Sequence, residues 1–231
     1  MNQRLQAVEA LVEDGVGLID VGTDHGYLPL SLAAHGYPGA LFASDIGEGP
    51  LNAARRSAAA AGMEGRVRFL LCDGLDLCPP DEVDTVVVAG MGGDTITGIL
   101  DRAEWLLDRR FALILQPMTR AEVLRYWLVN NGFVIEQERL VRDAGIIYAL
   151  LRARFGGEMR LSDAELYTGA FELVEAEPLW PEFRSKLLRR LEKSAAGLRQ
   201  SGRDAGRLRL LEGVCAQLKE RDDHAHRTGD L

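Results

Sequence analysis

The chain has 231 residues, 47% of them hydrophobic, and a formal net charge of −8. That length holds one α/β domain of ordinary size plus a smaller appendage. No apolar run approaches the ~18 residues of a membrane span, and Arg4, Glu9, Glu13 and Asp14 interrupt the first segment before a signal-peptide core could form. Cys72, Cys78 and Cys215 have no metal-ligand spacing, and so sparse and odd a set suits a reducing cytoplasm. Cys72, at a strand end, reads as a small core residue.

Through residue 155, strand-like and helix-like runs alternate. Gly17–Val21, Ala40–Asp45, Val67–Cys72, Val83–Ala89 and Phe111–Leu115 are short apolar runs bounded by Gly, Pro, Asp or Glu, and they predict buried parallel strands. Between them, Leu28–Ala34, Gly49–Ala61, Thr95–Asp108 and Thr119–Asn131 have helical spacing, with Gly132 a C-cap candidate. Repeated βα units of this length imply an open doubly wound sheet. The rhythm then changes. Val134–Leu140 and Ile146–Ala153 are both strand-like, and only a short turn through Asp143-Ala144-Gly145 separates them, so they predict an antiparallel hairpin.

Gly156-Gly157 reads as a hinge, which divides the chain into 1–156 and 157–231. Ser162 starts a helix with Asp163 and Glu165 in its first turn, and Leu179-Trp180-Pro181 is expected to break it. Two amphipathic segments follow, one carrying Leu187, Leu188, Leu191, Ala195 and Leu198, the other Leu211, Val214, Cys215 and Leu218. With Ser201-Gly202 as the turn, they predict an antiparallel, partly coiled-coil helical hairpin with basic residues outside. From Arg184 to Arg221 there are 11 Lys or Arg against 4 Asp or Glu, so the rest of the chain is acidic by 15 charges. A basic tail on an acidic body points to an anionic partner, although an ordinary solvated helix face has the same composition.

The chemistry-bearing residues lie at the ends of the predicted strands. The first is followed by Asp20-Val21-Gly22-Thr23-Asp24-His25-Gly26-Tyr27-Leu28-Pro29. Strand, glycine turn, helix is the arrangement that places a ligand on a helix N-terminus. A dinucleotide site wants G-x-G-x-x-G. Here Gly22 and Gly26 are four apart and Asp24 stands at the middle position, where it would repel a pyrophosphate but not a sulfonium or ammonium group. S-adenosylmethionine carries both groups, and Asp20-x-Gly22-x-x-x-Gly26 resembles the first motif of class I methyltransferases. A parallel sheet finishing in an antiparallel hairpin is a second, independent sign of that class.

The other strand ends suit the same cofactor. Asp20 can accept from an amine. Asp45, followed by Ile46, can accept both ribose hydroxyls. Asp73 can accept from the adenine amino group while Gly74 and Leu75 admit the flat ring. Ala89-Gly90-Met91-Gly92-Gly93 forms a loop whose backbone can approach cofactor and substrate. Each Asp taken singly also reads as a helix N-cap. Gln116, in Gln116-Pro117-Met118, either orients a base edge or satisfies a loop amide.

DVGTDHGYLP, ASDI, LCDG, VAGMGG and LQP, in this order and spacing, resemble the TrmK family over the whole chain. Those proteins are bacterial tRNA methyltransferases acting on N1 of adenine 22, with a coiled-coil-like helical appendage. The resemblance implies a Rossmann-like class I sheet domain, S-adenosylmethionine as cofactor, tRNA as partner, and no metal or membrane. The oligomeric state stays open. Near the transferred methyl, Asp24 is the candidate to stabilise the charged product, and Met91 belongs to the facing loop. His25 either orients Asp24, contacts the base, or is a helix-start histidine bonded to backbone; Tyr27 either stacks on the base or packs, and packing is preferred. Arg184, Lys186, Arg189, Arg190 and Lys193 are the candidate tRNA contacts. His35, His224 and His226 have no partner that suggests function. Three rivals stand beside this reading: a methyltransferase for another RNA site or a small molecule, a non-enzymatic RNA binder, and an interaction protein using the hairpin as a dimer zipper.

Overall fold

The computed structural model describes residues 2–228, with side chains as far as Arg221; the side chains of His224 and His226 therefore lie outside the described residues. The chain divides into two compact units, Met1–Met159 and Arg160–Leu231.

In the first unit, α1 (Gln3–Glu9) precedes β1 (Gly17–Val21), α2 (Tyr27–Ala34), β2 (Ala40–Asp45), α3 (Glu48–Ala60), β3 (Arg68–Leu71), β4 (Thr85–Gly92), α4 (Gly93–Asp101), β5 (Ala112–Thr119), α5 (Ala121–Asn130), β6 (Phe133–Asp143) and β7 (Ile146–Phe155). The sheet order is β3-β2-β1-β4-β5-β7-β6. β1 to β5 pair in parallel, while β7 pairs antiparallel with both β5 and β6. This is the Rossmann-like sheet with the terminal hairpin that the sequence predicts. β1 and β2 span the predicted residues to the position. All five residues of β1 are buried, because helices cover both faces of a parallel sheet and a continuous apolar run is what such a strand requires. On one face Leu18, Leu41, Val87 and Ile114 meet Val8 of α1 and Leu28 and Leu32 of α2.

Four expectations need correction. β3 is an exposed edge rather than a buried strand. Arg68 lies over the Phe42 ring, 4.2 Å from its centroid, and pairs with Glu82, so charge blunts that edge. Cys72 is half-buried, outside the core. The helix expected over Thr95–Asp108 ends at Asp101, and a separate 3-10 turn follows at Glu104–Leu106. β4 and β5 run past Ala89 and Leu115 into their loops, pairing Met91 with Pro117 through register shifts. Gly90 (φ +85°) makes that bulge possible, and a bulge tolerates a proline that has no N–H to give.

Gly132 follows α5 with φ +78°, as a helix-ending glycine should. Its carbonyl accepts from Gly156 N (2.9 Å) and Gly157 N (3.4 Å), so the glycine pair is tied to the first unit. Beneath it, Arg125 of α5 bonds Glu138 of β6 at 2.8 Å with neither side chain exposed. His35, at the end of α2, bonds Glu9 of α1 at 2.8 Å.

The second unit begins with α6 (Asp163–Thr168), capped by Ser162 and Glu165 in a reciprocal capping box. Gly169 (φ +105°) already ends this helix, and a short α7 (Phe171–Val174) follows. Trp180-Pro181 therefore breaks nothing. It opens α8 (Trp180–Ser201) with proline in the first turn, where its missing N–H costs no hydrogen bond. Gly202 (φ +63°) turns the chain into α9 (Ala205–Thr228). Leu187, Leu191 and Ala195 are buried, as are Leu211, Val214, Cys215 and Leu218, while Leu188 and Leu198 are half-buried. Lys219 pairs with Glu192 (2.7 Å) and Arg199 with Glu212 (2.5 Å) across the two helices, which sets them antiparallel.

Candidate cofactor and substrate site

The C-terminal ends of β1, β2 and β3 are joined by their own backbone. Gly22 N and Thr23 N both donate to Ser44 O (2.8 and 3.1 Å), Cys72 N donates to Asp45 O (3.1 Å), and Ser44 Oγ donates to Gly74 O (2.9 Å). Asp20, Asp45 and Asp73 consequently end three neighbouring strands on one rim of the sheet.

Their environments differ. Asp20 is buried, and Thr23 Oγ1 donates to its Oδ2 at 2.6 Å. Burial pushes its carboxyl up to about 6; the Thr23 hydrogen bond opposes that rise, and the charge of Asp45 adds to it. Asp45 is half-buried and its Oδ1 accepts from Gly47 N at 2.8 Å. Ile46 beside it is 75% exposed. Asp73 is half-exposed and bonded to Arg102 Nη2 at 3.0 Å, while Arg102 Nε reaches Asp76 at 3.6 Å. Gly74 (φ +60°) lies under Ile99 and Arg102, and Leu75 is buried.

Gly22 (φ +74°) faces the β4 loop: a Cβ there would overlap Met91 Cε. Gly26 (φ +70°) is the N-cap of α2, and its near neighbour is Ala54 of α3, at 3.2 Å from where a Cβ would stand. Between them Asp24 adopts φ +45° with its side chain 73% exposed, 3.7 Å from His25 Nε2. The His25 ring stacks on Tyr27 at 5.3 Å between centroids, and Tyr27 is 52% exposed. Tyr27 therefore does not pack into the core as preferred from sequence; it extends an aromatic pair into solvent beside Asp24.

Gln116 is fully buried. Its Oε1 accepts from Gly90 N (3.1 Å) and Arg4 Nη1 (2.5 Å), and its Nε2 donates to Pro117 O (2.9 Å). Both ends of the carboxamide are used inside the fold, so of its two sequence readings the structure takes the loop amide over the base edge. Arg4, Thr23, Ser44 and Arg102 are the participants that sequence reasoning missed. A short helix before the first strand and a salt bridge between residues 73 and 102 leave no local signal.

In the second unit, Arg184 is half-buried and Lys186 bonds Glu182 at 2.9 Å. Arg189, Arg190 and Lys193 are exposed on α8, as are Arg203, Arg207 and Arg209 in the turn and α9. Among the described residues, no side chain of these six makes an ion pair. Among the described residues, too, no group of three His, Cys, Asp or Glu could hold a metal ion, and no helix is long and apolar enough to cross a membrane.

Comparison with known proteins agrees with this geometry. The family described as "Methyltransferase domain" matches residues 1–151. The tRNA (adenine(22)-N(1))-methyltransferase of Bacillus subtilis is 31% identical over 156 residues, 68% of this chain and 66% of that one; the match thus spans just under two thirds of that relative. A Streptococcus pneumoniae protein crystallised with S-adenosyl-L-methionine superposes with a TM-score of 0.79 at 32% identity, covering 93% of this chain and 99% of that one. The crystal structure of the Bacillus subtilis m1A22 tRNA methyltransferase TrmK gives 0.80 at 25% identity, covering 95% and 96%. The chain belongs to the methyltransferase-domain family, and within it to the TrmK family.

Proposed function

We infer that this protein methylates N1 of adenine 22 in bacterial tRNA, using S-adenosylmethionine. The observation that carries the reading is the rim of three carboxylates, with a buried Asp20 that makes no ion pair among the described residues. A buried acid without a positive partner is costly, and a cationic ligand relieves that cost, so the residues present fit the cofactor. The relatives include a tRNA (adenine(22)-N(1))-methyltransferase and a protein crystallised with S-adenosyl-L-methionine.

When bound, the cofactor supplies a methyl group already activated on a cationic sulfur. Asp20 accepts from its ammonium group, Asp45 from its ribose hydroxyls and Asp73 from its adenine amino group, with Ile46, Gly74 and Leu75 bordering the ring. Gly22, Gly26, Ala89 and Gly90 shape the backbone around it. The substrate N1 has an in-plane lone pair, so the protein's task is mostly positioning. N1 lies on the Watson–Crick edge, so the base is received unpaired or flipped out. Methylation leaves a positive charge on the adenine, which the Asp24 carboxylate stabilises while His25 orients Asp24. The exposed cations of the helical hairpin, Arg189, Arg190 and Lys193 with Arg203, Arg207 and Arg209, hold tRNA phosphates. The site of action is the cytoplasm, where tRNA resides.

Nucleoside mass spectrometry of unmodified tRNA, after incubation with protein and S-adenosylmethionine, tests the reading. It predicts 1-methyladenine that disappears when adenine 22 is replaced. Methylation persisting on the replaced tRNA would move the target to another site.

A further inference from the structure

Arg4 stands where the first helix meets the loop of β4. Its Nη1 donates to Gln116 Oε1 at 2.5 Å, and the same oxygen accepts from Gly90 N at 3.1 Å. The guanidinium lies over Gly90, 3.1 Å from where a Cβ would be, so the absence of a side chain at Gly90 is what admits it. Gly90 is exposed and adjoins Met91, which reaches Gly22. Arg68, Arg102, Arg120 and Arg125 each face a carboxylate. Arg4 instead bonds a neutral amide, and no ion pair of Arg4 exists among the described residues.

We propose that Arg4 binds a phosphate of the tRNA strand delivering the target adenine and so registers that nucleotide against the Gly90–Met91 loop. The proposal rests on the tRNA reading above. A guanidinium presents five donors in a rigid fork that matches phosphate oxygens. One donor anchors Arg4 to Gln116, which fixes the orientation of the others before RNA arrives. A half-buried cation without a counter-ion, beside an open glycine, is a site for an anion, and the anion that tRNA brings to this loop is its backbone. The hairpin cations supply general attraction, whereas Arg4 supplies a contact at the reacting end.

The test uses the full-length protein, its Arg4→Gln and Arg4→Lys variants, and unmodified tRNA. Binding is measured from low to moderate salt, together with KM for tRNA and Kd for S-adenosylmethionine. Arg4→Gln is expected to raise KM for tRNA several-fold and to reduce the slope of log affinity against log salt by about 0.7–0.9, the share of one phosphate. Kd for S-adenosylmethionine stays at the wild-type value. Arg4→Lys keeps the charge and restores most of the slope. An unchanged slope in Arg4→Gln overturns the proposal, as does a lost slope that lysine does not restore. A weakened Kd for S-adenosylmethionine at an unchanged slope would make Arg4 a brace for the loop alone. If wild-type protein binds tRNA without methylating adenine 22, the functional reading falls while the salt slope still reports on Arg4.

Discussion

The side chain of Met91 occupies the space that any side chain at Gly22 would need. Gly22 follows β1 and Met91 lies in the last residues of β4, and their contact closes the ends of the two strands on each other. Gly22 also has φ +74°, so Gly22→Ala meets both backbone strain and overlap. The expected loss is about 1–3 kcal/mol from the backbone, with a further part that Met91→Ala recovers. Chemical denaturation of both single variants and the double variant measures the coupling, and strict additivity would show that the loops do not depend on this contact.

Asp45→Ala removes the proposed ribose acceptor and the acceptor for Gly47 N. S-adenosylmethionine binding should weaken by about 1.5–3 kcal/mol. Asp45→Asn keeps an oxygen for Gly47, so it separates loss of charge from loss of the loop bond. Calorimetry that returns wild-type affinity for both variants would remove Asp45 from the site.

Asp20 should make the protein and its ligand respond to pH in opposite directions. Its carboxyl is raised from an ordinary 3.8 to about 6, chiefly by burial. Between those values the folded state holds more protons than the unfolded one, so this group lowers stability as pH rises from about 4 to about 6, and the loss is complete above 6. The span corresponds to roughly 3 kcal/mol. A cationic ligand prefers the ionised form, so its affinity should rise through pH 6 and then level. Asp20→Asn should flatten both profiles. A pH-independent Kd in the wild type would detach Asp20 from the ligand.

Asp24→Asn keeps the shape of the side chain, and asparagine accepts the left-handed backbone found there, φ +45°. S-adenosylmethionine binding should be retained while the single-turnover rate at saturating tRNA falls by about tenfold or more, the scale on which stabilisation of developing charge acts. A wild-type rate would leave positioning as the whole of catalysis.

Arg189→Glu with Arg190→Glu places two acids on the exposed face of α8. Their loss as phosphate contacts should reduce the salt slope of tRNA binding by about 1.4–1.8 and leave S-adenosylmethionine affinity unchanged. An unaltered slope would make the basic hairpin a solvated helix pair.

Much of the first unit was legible in the chain. Burial on both faces writes a continuous apolar run, so β1 and β2 could be bounded from sequence alone. So short a connection cannot hold a helix, so the β6–β7 hairpin followed. Other errors share one cause, that periodicity records burial and not the element a residue belongs to. β3 is apolar enough to look central, yet it closes the sheet with Arg68 over Phe42. Trp180-Pro181 looks like a break because proline ends helices from within, yet it begins α8.

The succession of strands along the chain, the glycine turn and the three strand-end carboxylates follow from the sequence itself, because each is written within a few consecutive residues. Only the tertiary structure could decide that Gln116 serves the loop, that Tyr27 stands in solvent on His25, that Arg102 holds Asp73, and that Arg4 reaches Gly90. Arg4 and Gln116 are 112 positions apart. A hydrogen bond across that separation depends on where two elements dock, and docking is set by the fit of the whole core rather than by any pattern around either residue.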